Sequence, residues 1–363
     1  MFRFILLSTF FCLVGGQVQE NQVDAVSTSS SSFDAYLEDF GKTYGENQDE
    51  YAKRYLIFQQ NLAAIEHHNN NRKEGQSYTL GINQFSDMLP EDVPKGYTKA
   101  ASYHWSHTAT GRRSLQHVTT DLESIIHTEP VSKLPKHVDW RAKGITTPVK
   151  NQYYCGSCWA FASTAVVESH VARATGVLFS LSEQQLVSCA SNPFHCGGTG
   201  GCAGSTAEIA MEHVRTHGMV DEWAFGYESN HGANISCTLP ERQTSFIRGS
   251  RGSNQDTDNN NDKHYLKGAV ATIEGWMTLP RNNYTAVMNS VAKLGPLAVS
   301  VACSPWVSYK SGIYSGSLKS RKETDVSVPS HRQNYVRFLQ MYSQTSCLGA
   351  DQSLGGSGRL RDR

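Results

Sequence analysis

"NQYYCGSCWAF", Asn151 to Phe161, sets two cysteines three residues apart, with a tryptophan directly after the second. Such a pair serves as a redox dithiol, as half of a zinc site, or as one structural thiol beside one reactive thiol. From Cys158 to Ala174 apolar residues fall on nearly every face of a helix and Gly176 supplies a stop, so the stretch predicts a helix running through a core. Cys158 opens that helix. A free thiol, with a pKa of about 8.5, is mostly protonated at neutral pH, and the positive end of the backbone dipole favours its anion. Backbone N–H groups at the same place can receive the oxyanion formed when a carbonyl is attacked. Gln152, six residues before Cys158, offers a side-chain amide as a second donor, and Trp159, Ala160 and Phe161 pack the first turn. Cys158 and Gln152 are therefore the candidate catalytic residues.

The whole-chain numbers narrow the classes. The 363 residues carry 33 Lys and Arg against 33 Asp and Glu, so no charge excess points to nucleic acid or to an anionic membrane. Hydrophobic content of 39% is ordinary for a globular protein, and no apolar run approaches the length of a membrane span. The start, "MFRFILLSTFFCLVGGQVQE", has one early cation at Arg3, an apolar run from Phe4 to Val14, and small residues at Gly15 and Gly16. That pattern predicts a signal peptide over residues 1–16 and places the remainder in an oxidising compartment. Of nine cysteines, Cys12 lies in the signal and the other eight lie at or after Cys155; Gln17 to Tyr154 contain none. The asymmetry predicts a cysteine-free N-terminal part and a disulfide-stapled second part. Asn234 and Asn283 head N-x-[ST] sequons and are candidate glycosylation sites.

Along the chain, Phe33 to about Asn71 reads as helix, with one apolar stripe of Phe33, Tyr36, Leu37, Phe40 and Tyr44 and a second of Tyr51, Tyr55, Phe58, Leu62 and Ile65. Tyr78, Leu80 and Ile82 alternate with polar residues as in a strand. Ser182 with Gln185, and Ser205 with Glu208, have the spacing of capping boxes that open two further helices. Strands are expected over Gly268 to Ile273 and Gly295 to Ala302, with a helix from Tyr284 to Lys293 between them. Asp256, Asp258, Asn260 and Asp262 mimic a calcium loop, but its glycine is absent and Lys267 stands where the bidentate glutamate belongs. No metal and no cofactor is expected.

"CGSCW" has the local form of the papain and cathepsin nucleophile, and the chain resembles the papain-like cysteine proteases well beyond it. "VDWRAKGITTPVKNQ" is similar to the start of the mature enzymes, ending on the oxyanion-hole glutamine at Gln152. "LSEQQLVSC" and "HCGGTGGC" resemble the segments that carry disulfides and the substrate-backbone contact, which falls by resemblance on Gly200 and Gly201. Glu50, Arg54, Phe58, Asn61, Ile65 and Asn69 reproduce the E-R-F-N-I-N helix of cathepsin L-like propeptides, and Gly81, Asn83, Phe85 and Asp87 the G-x-N-x-F-x-D element after it. The resemblance implies an α+β, two-lobed fold, a helical lobe and a β-barrel-like lobe, preceded by a helical propeptide. It implies a propeptide over residues 17–133 and a peptidase domain over 134–363. It also implies disulfides Cys155–Cys196 and Cys189–Cys237, leaving Cys158 free. A zinc ribbon needs a second C-x-x-C, which the chain lacks. A redox dithiol leaves Gln152 and the six-position helix register unexplained.

Residues 317–363 depart from that family. The expected cysteine, histidine, V-G-Y-G strand and N-S-W asparagine do not occur there, and the β lobe reads as incomplete. His331 is the only histidine after Tyr314, and "PSHRQN" lacks the strand character that would hold a base against Cys158. The function expected is a cysteine-type endopeptidase zymogen that cleaves proteins or peptides through a thioester and is inhibited by its own propeptide. The expected setting is the secretory pathway, lysosomal, vacuolar or extracellular, and the expected state is a monomer without membrane span or nucleic-acid partner. The alternative is an inactive papain-like homologue that binds proteases or peptides.

Overall fold

A computed structural model of the chain describes residues 33–44, 47–72, 78–96, 129–240, 265–280, 283–300, 303 and 307–312. The expected signal peptide, the acidic loop, His331 and the atypical tail lie outside the described residues. The chain divides into two compact units, one ending at Gln48 and the other starting at Asp49.

In the first unit, helix α1 covers Phe33–Asp39, with Phe33 and Tyr36 buried and their rings stacked at 5.8 Å. The single long helix expected from residue 33 onward is in fact two. Gly41 adopts φ 61° just after α1, a left-handed conformation that a continuous helix cannot contain.

The second unit takes up most of helix α2, Gln48–Asn70. Its E-R-F-N-I-N register presents one face to the returning chain. Phe58 and Ile65 are buried, and Arg54, Asn61 and Asn69 hold backbone. Arg54 binds Glu50 at 2.6 Å and donates to Asp87 O at 3.2 Å. Asn61 donates to Ser86 O at 2.9 Å and to Met88 O at 3.0 Å. Asn69 donates to Leu80 O and accepts from Leu80 N, at 2.9 and 3.0 Å. An amide of this kind satisfies main-chain groups that a loop would otherwise leave unpaired. Tyr55, expected on the apolar stripe, faces solvent, and Ile57 is buried instead.

The core gathers around helix α3, Cys158–Thr175, with Trp159, Ala160 and Val167 buried. Gly176 ends it at φ 79°, its N–H bonded to Ala172 O, as the sequence predicts. Helices α4, Glu183–Cys189, and α5, Ala207–His217, pack on α3. Ser182 caps α4 by accepting from Gln185 N at 2.9 Å, but the Gln185 side chain does not complete the box. It is drawn inward to Gly218 O and Val220 N, at 2.7 and 2.8 Å, where it satisfies buried backbone. The Ser205–Glu208 box does not form either: Thr206 is the N-cap of α5 and makes no side-chain cap. Helix α6, Tyr284–Lys293, has the expected bounds and is capped by Asn283, which accepts from Ala286 N at 2.9 Å.

Beside this core a half-buried cation, Lys150, sits among three carboxylates. Lys150 Nζ lies 3.2 Å from Glu168, 2.9 Å from Glu183 and 3.3 Å from Glu222. Glu168 also accepts from Thr147 Oγ1 and Leu181 N, so it anchors the chain entering α3 to the chain entering α4. Burial pushes the Glu183 carboxyl up to about 8, against the pull of Lys150, and pushes Glu168 upward as well.

The strands are shorter than the sequence suggests. The only ladder among the described residues pairs β1, Thr79–Leu80, antiparallel with β2, Tyr309–Ser311. Around Ala271 a single bridge to Met219 replaces the expected strand, and residues 295–300 form no ladder. Alternating apolar residues give a segment a face, but its hydrogen bonds need a partner segment from elsewhere in the chain.

Candidate active site

The chain reaches the start of α3 by a guided path. Beside the β1–β2 ladder, Gly81 N–H donates to Ser308 O at 2.8 Å and Asn83 to Val307 O at 2.6 Å. A methyl group at Gly81 would meet the Lys310 side chain, which would have to swing aside. Phe85 then packs edge-on against Tyr154 at 5.8 Å, and the Gln84 and Asn151 amides pair. Buried Val93 leads into Lys95 and Gly96.

Gly96 lies directly over Cys158. A Cβ there would overlap the Cys158 sulfur and sit 3.0 Å from Gly156 O and 3.1 Å from Cys158 N. On the other wall, Ser205 N–H donates to Gly96 O at 2.9 Å. Gly156 is equally tight, since a Cβ would come within 2.6 Å of Lys95 O. The segment thus occupies a slot whose floor is the start of α3 and whose sides are Gly156 and Gly204–Ser205.

Cys158 is fully buried beneath this strap. Burial raises the thiol well above its ordinary range, and the buried Cys303 thiol adds to the effect. Hydrogen bonds from the backbone of Gly96, Trp159 and Cys158 itself oppose it. The helix-start position favours the anion, as the sequence argues, but the strap withholds the water the anion needs. Gln152 is buried too and spends one amide hydrogen on Cys155 O at 2.8 Å.

The disulfides are Cys155–Cys202 and Cys189–Cys237. The second agrees with expectation; the first corrects it, because Cys196 is a buried free thiol. Asn192 holds Cys196 by both backbone groups, accepting from its N–H at 2.9 Å and donating to its carbonyl at 3.0 Å. Four glycines between the two cysteines take positive φ and turn Cys202 back toward Cys155, with Gly156 N–H bonded to Cys202 O. Because Cys155 is committed to Cys202, the dithiol reading falls. A non-reducing peptide map of the folded protein should show these two cross-links, with Cys158, Cys196 and Cys303 alkylated only after denaturation. A Cys155–Cys196 peptide would contradict the pairing.

Of the residues singled out in the sequence, Cys158 and Gln152 are both buried, and Gln152 reaches the neighbours of Cys158 through its amide bond to Cys155 O and through Tyr227, which bonds Gln152 O and the Ser157 hydroxyl. Gly200 and Gly201 sit outside the slot: a side chain on Gly201 would collide with Asn234, and its carbonyl takes the Trp159 indole N–H at 3.1 Å. Gly204 and Ser205 meet the strap instead. Sequence reading missed them and Gly96, which carries no local signal, though the failed capping box at Ser205 is its structural counterpart. Among the described residues no cluster of three or more His, Cys, Asp or Glu could hold a metal, and no helix is long and apolar enough to cross a membrane.

Comparison with known proteins agrees with this geometry. The model of the papain family cysteine proteases matches residues 134–330, and that of the cathepsin propeptide inhibitor domain matches residues 33–93. The chain is 32% identical to procathepsin L of Mus musculus over 329 residues, spanning 88% of this chain and 81% of that one. It is likewise 32% identical to digestive cysteine proteinase 1 of Homarus americanus, over 84% of this chain and 81% of that protein. Among solved structures, digestive procathepsin L2 from Tenebrio molitor larval midgut superposes with TM-score 0.58 at 28% identity, covering 82% of each chain. A stem bromelain precursor gives TM-score 0.54 at 28% identity, over 78% of this chain and 76% of that one. Helical core, buried thiol at a helix start, covering strap and both family matches converge: the chain belongs to the papain family of cysteine proteases and is a cysteine endopeptidase precursor with a cathepsin-type inhibitory propeptide.

Proposed function

We propose that Cys158 is the nucleophile of this endopeptidase, that Gln152 assists at the oxyanion, and that the stretch from Val93 to Gly96 is the inhibitory plug. The observation that carries the reading is Gly96 lying on a buried sulfur at the N-terminus of α3, with backbone N–H groups of Cys158 and Trp159 directed at that sulfur. With the plug removed, the thiol gives its proton to a base and the sulfur attacks a peptide carbonyl carbon. The oxyanion rests on the N–H groups at the helix start and the remaining amide hydrogen of Gln152. Collapse expels the amine, which takes the proton, and water then hydrolyses the thioester. The cycle calls for neither metal nor cofactor. The base is the one role that no described residue is assigned, and His331 lies outside the described residues.

The reading extends to the limits of the parts. Residues 1–16 act as signal, 17–133 as a propeptide lost on activation, and 134–363 as the peptidase; matches beginning at residues 33 and 134 support that division. Substrates are proteins and peptides, met by a monomer in a lysosomal, vacuolar or extracellular compartment, as cross-linked cysteines suit. Asn234 and Asn283 are glycan acceptors. Asn283 caps α6 through its oxygen, which leaves the nitrogen that carries a glycan.

Incubating the full chain in acid and then treating it with a thiol-directed epoxide tests the reading. Stoichiometric labelling of Cys158, with loss of a peptidase activity present beforehand, is the expected result. Labelling of a protein that hydrolyses nothing would instead support the peptide-binding alternative, which the missing N-S-W and V-G-Y-G elements after residue 316 favour. Failure to label would remove Cys158 as nucleophile.

A further inference from the structure

Ser157 precedes Cys158 and stands at the N-cap of α3, yet its side chain caps nothing. Ser182 and Asn283, at the same place on α4 and α6, do accept a backbone N–H. The Ser157 hydroxyl is drawn elsewhere, to Tyr227 OH at 2.8 Å. Tyr227 OH in turn lies 2.9 Å from Gln152 O. A carbonyl only accepts, so the single phenol proton goes to Gln152 O, and the Ser157 proton must go to the phenol oxygen. The chain of hydrogen bonds therefore runs one way, from Ser157 through Tyr227 to the backbone of Gln152, each bond polarising the next. Phe161, on the first turn of α3, holds the tyrosine ring edge-on at 4.9 Å.

We propose that Tyr227 is a positioning residue of this active site: its hydroxyl ties the backbone of Gln152 to Ser157, fixing the oxyanion donor relative to the nucleophile. The proposal rests on the roles given above to Cys158 and Gln152. It has a second consequence for the thiol. An N-cap serine ordinarily takes the N–H of the second or third helical residue, which here are Trp159 and Ala160. Ala160 N–H is satisfied by Ser157 O at 2.8 Å, and holding the Ser157 hydroxyl away leaves Trp159 N–H for the sulfur. Burial pushes the Tyr227 phenol up to about 12, so the donor keeps its proton across the working range.

Tyr227→Phe removes the hydroxyl and keeps the ring on Phe161. In acid-processed protein it should lower kcat about tenfold with KM unchanged, the loss of one well-aimed hydrogen bond in the transition state. In a Gln152→Ala background the same change should cost no more than about threefold, because the side chain being positioned is gone and only the effect on the thiol is left. Equal losses in both backgrounds, an unchanged kcat, or a loss confined to KM would overturn the proposal. Cys158 alkylation by iodoacetamide, followed against pH, needs no turnover. Tyr227→Phe frees Ser157 to take the Trp159 N–H, so alkylation at a given pH should slow about threefold as the thiol titrates higher. If the wild-type protein alkylates but hydrolyses nothing, the hydrolase reading fails while this profile still decides the clamp. Superimposable profiles for wild type and variant would then sink it.

Discussion

Gly96→Ala should make Cys158 of the intact precursor react with iodoacetamide at pH 7 roughly 10–100-fold faster than in wild type. The added methyl group has nowhere to go. Its neighbours would be the sulfur of Cys158, the carbonyl of Gly156 and the backbone nitrogen of Cys158. None is the loose end of a side chain. Gly156 is pinned by its bond to Cys202 O beside the Cys155–Cys202 cross-link. Overpacking of this kind costs about 1–3 kcal/mol, and lifting the strap is cheaper than distorting the helix start. Lifting it lets water in and removes the main reason the thiol titrates high. The readout is mass spectrometry of the Cys158 peptide over time, with the thermal midpoint of the peptidase transition as a control. Equal rates in the two proteins would mean the strap does not rest on the thiol in solution.

Lys150→Met should lower Tm by roughly 10 °C at pH 7, a loss of about 3–5 kcal/mol. Removing the cation leaves Glu168 and Glu183 buried together, and the shorter, neutral side chain cannot reach Leu181 O as Lys150 does at 3.1 Å. The cluster also sets a pH dependence in the wild-type protein. Glu183 titrates at about 8 when folded against an ordinary value of 4.5. Between those values the folded chain keeps a proton on Glu183 that the unfolded chain has released, so the contribution of this group to stability is fully present below about pH 4.5 and is lost as pH rises through about 8. Urea midpoints at pH 4.5, 6 and 8 should fall in that order, and Glu183→Gln should flatten the trend. A midpoint that rises with pH would refute the assignment.

Much of this was legible in the sequence because it is local. The 3.6-residue register of Glu50, Arg54, Phe58, Asn61, Ile65 and Asn69 fixes a helix face: Arg54, Asn61 and Asn69 bond the returning backbone, Phe58 and Ile65 are buried, and Glu50 pairs with Arg54. Cys158 at the head of an all-round apolar stretch, and Gly176 at its foot, fix α3. Tyr284 and Lys293 bound α6 as the sequence expects. The capping boxes show where local reading fails: Gln185 and Ser205 have the right spacing, but buried backbone around Gly218 and Val220 claims the first, and the backbone N–H of the second faces the strap.

Residue type and spacing alone therefore determined the family, the place of Cys158 at a helix start and the propeptide helix, since short-range sterics and periodic burial write those directly into the chain. Only the tertiary structure decided that Cys202 rather than Cys196 bonds to Cys155, that Gly96 is the atom-close cover, and that Tyr227 joins Ser157 to Gln152. The partners in those contacts are separated by 47, 62 and at least 70 residues. Closing such loops depends on how the whole chain packs, and no local pattern carries that information.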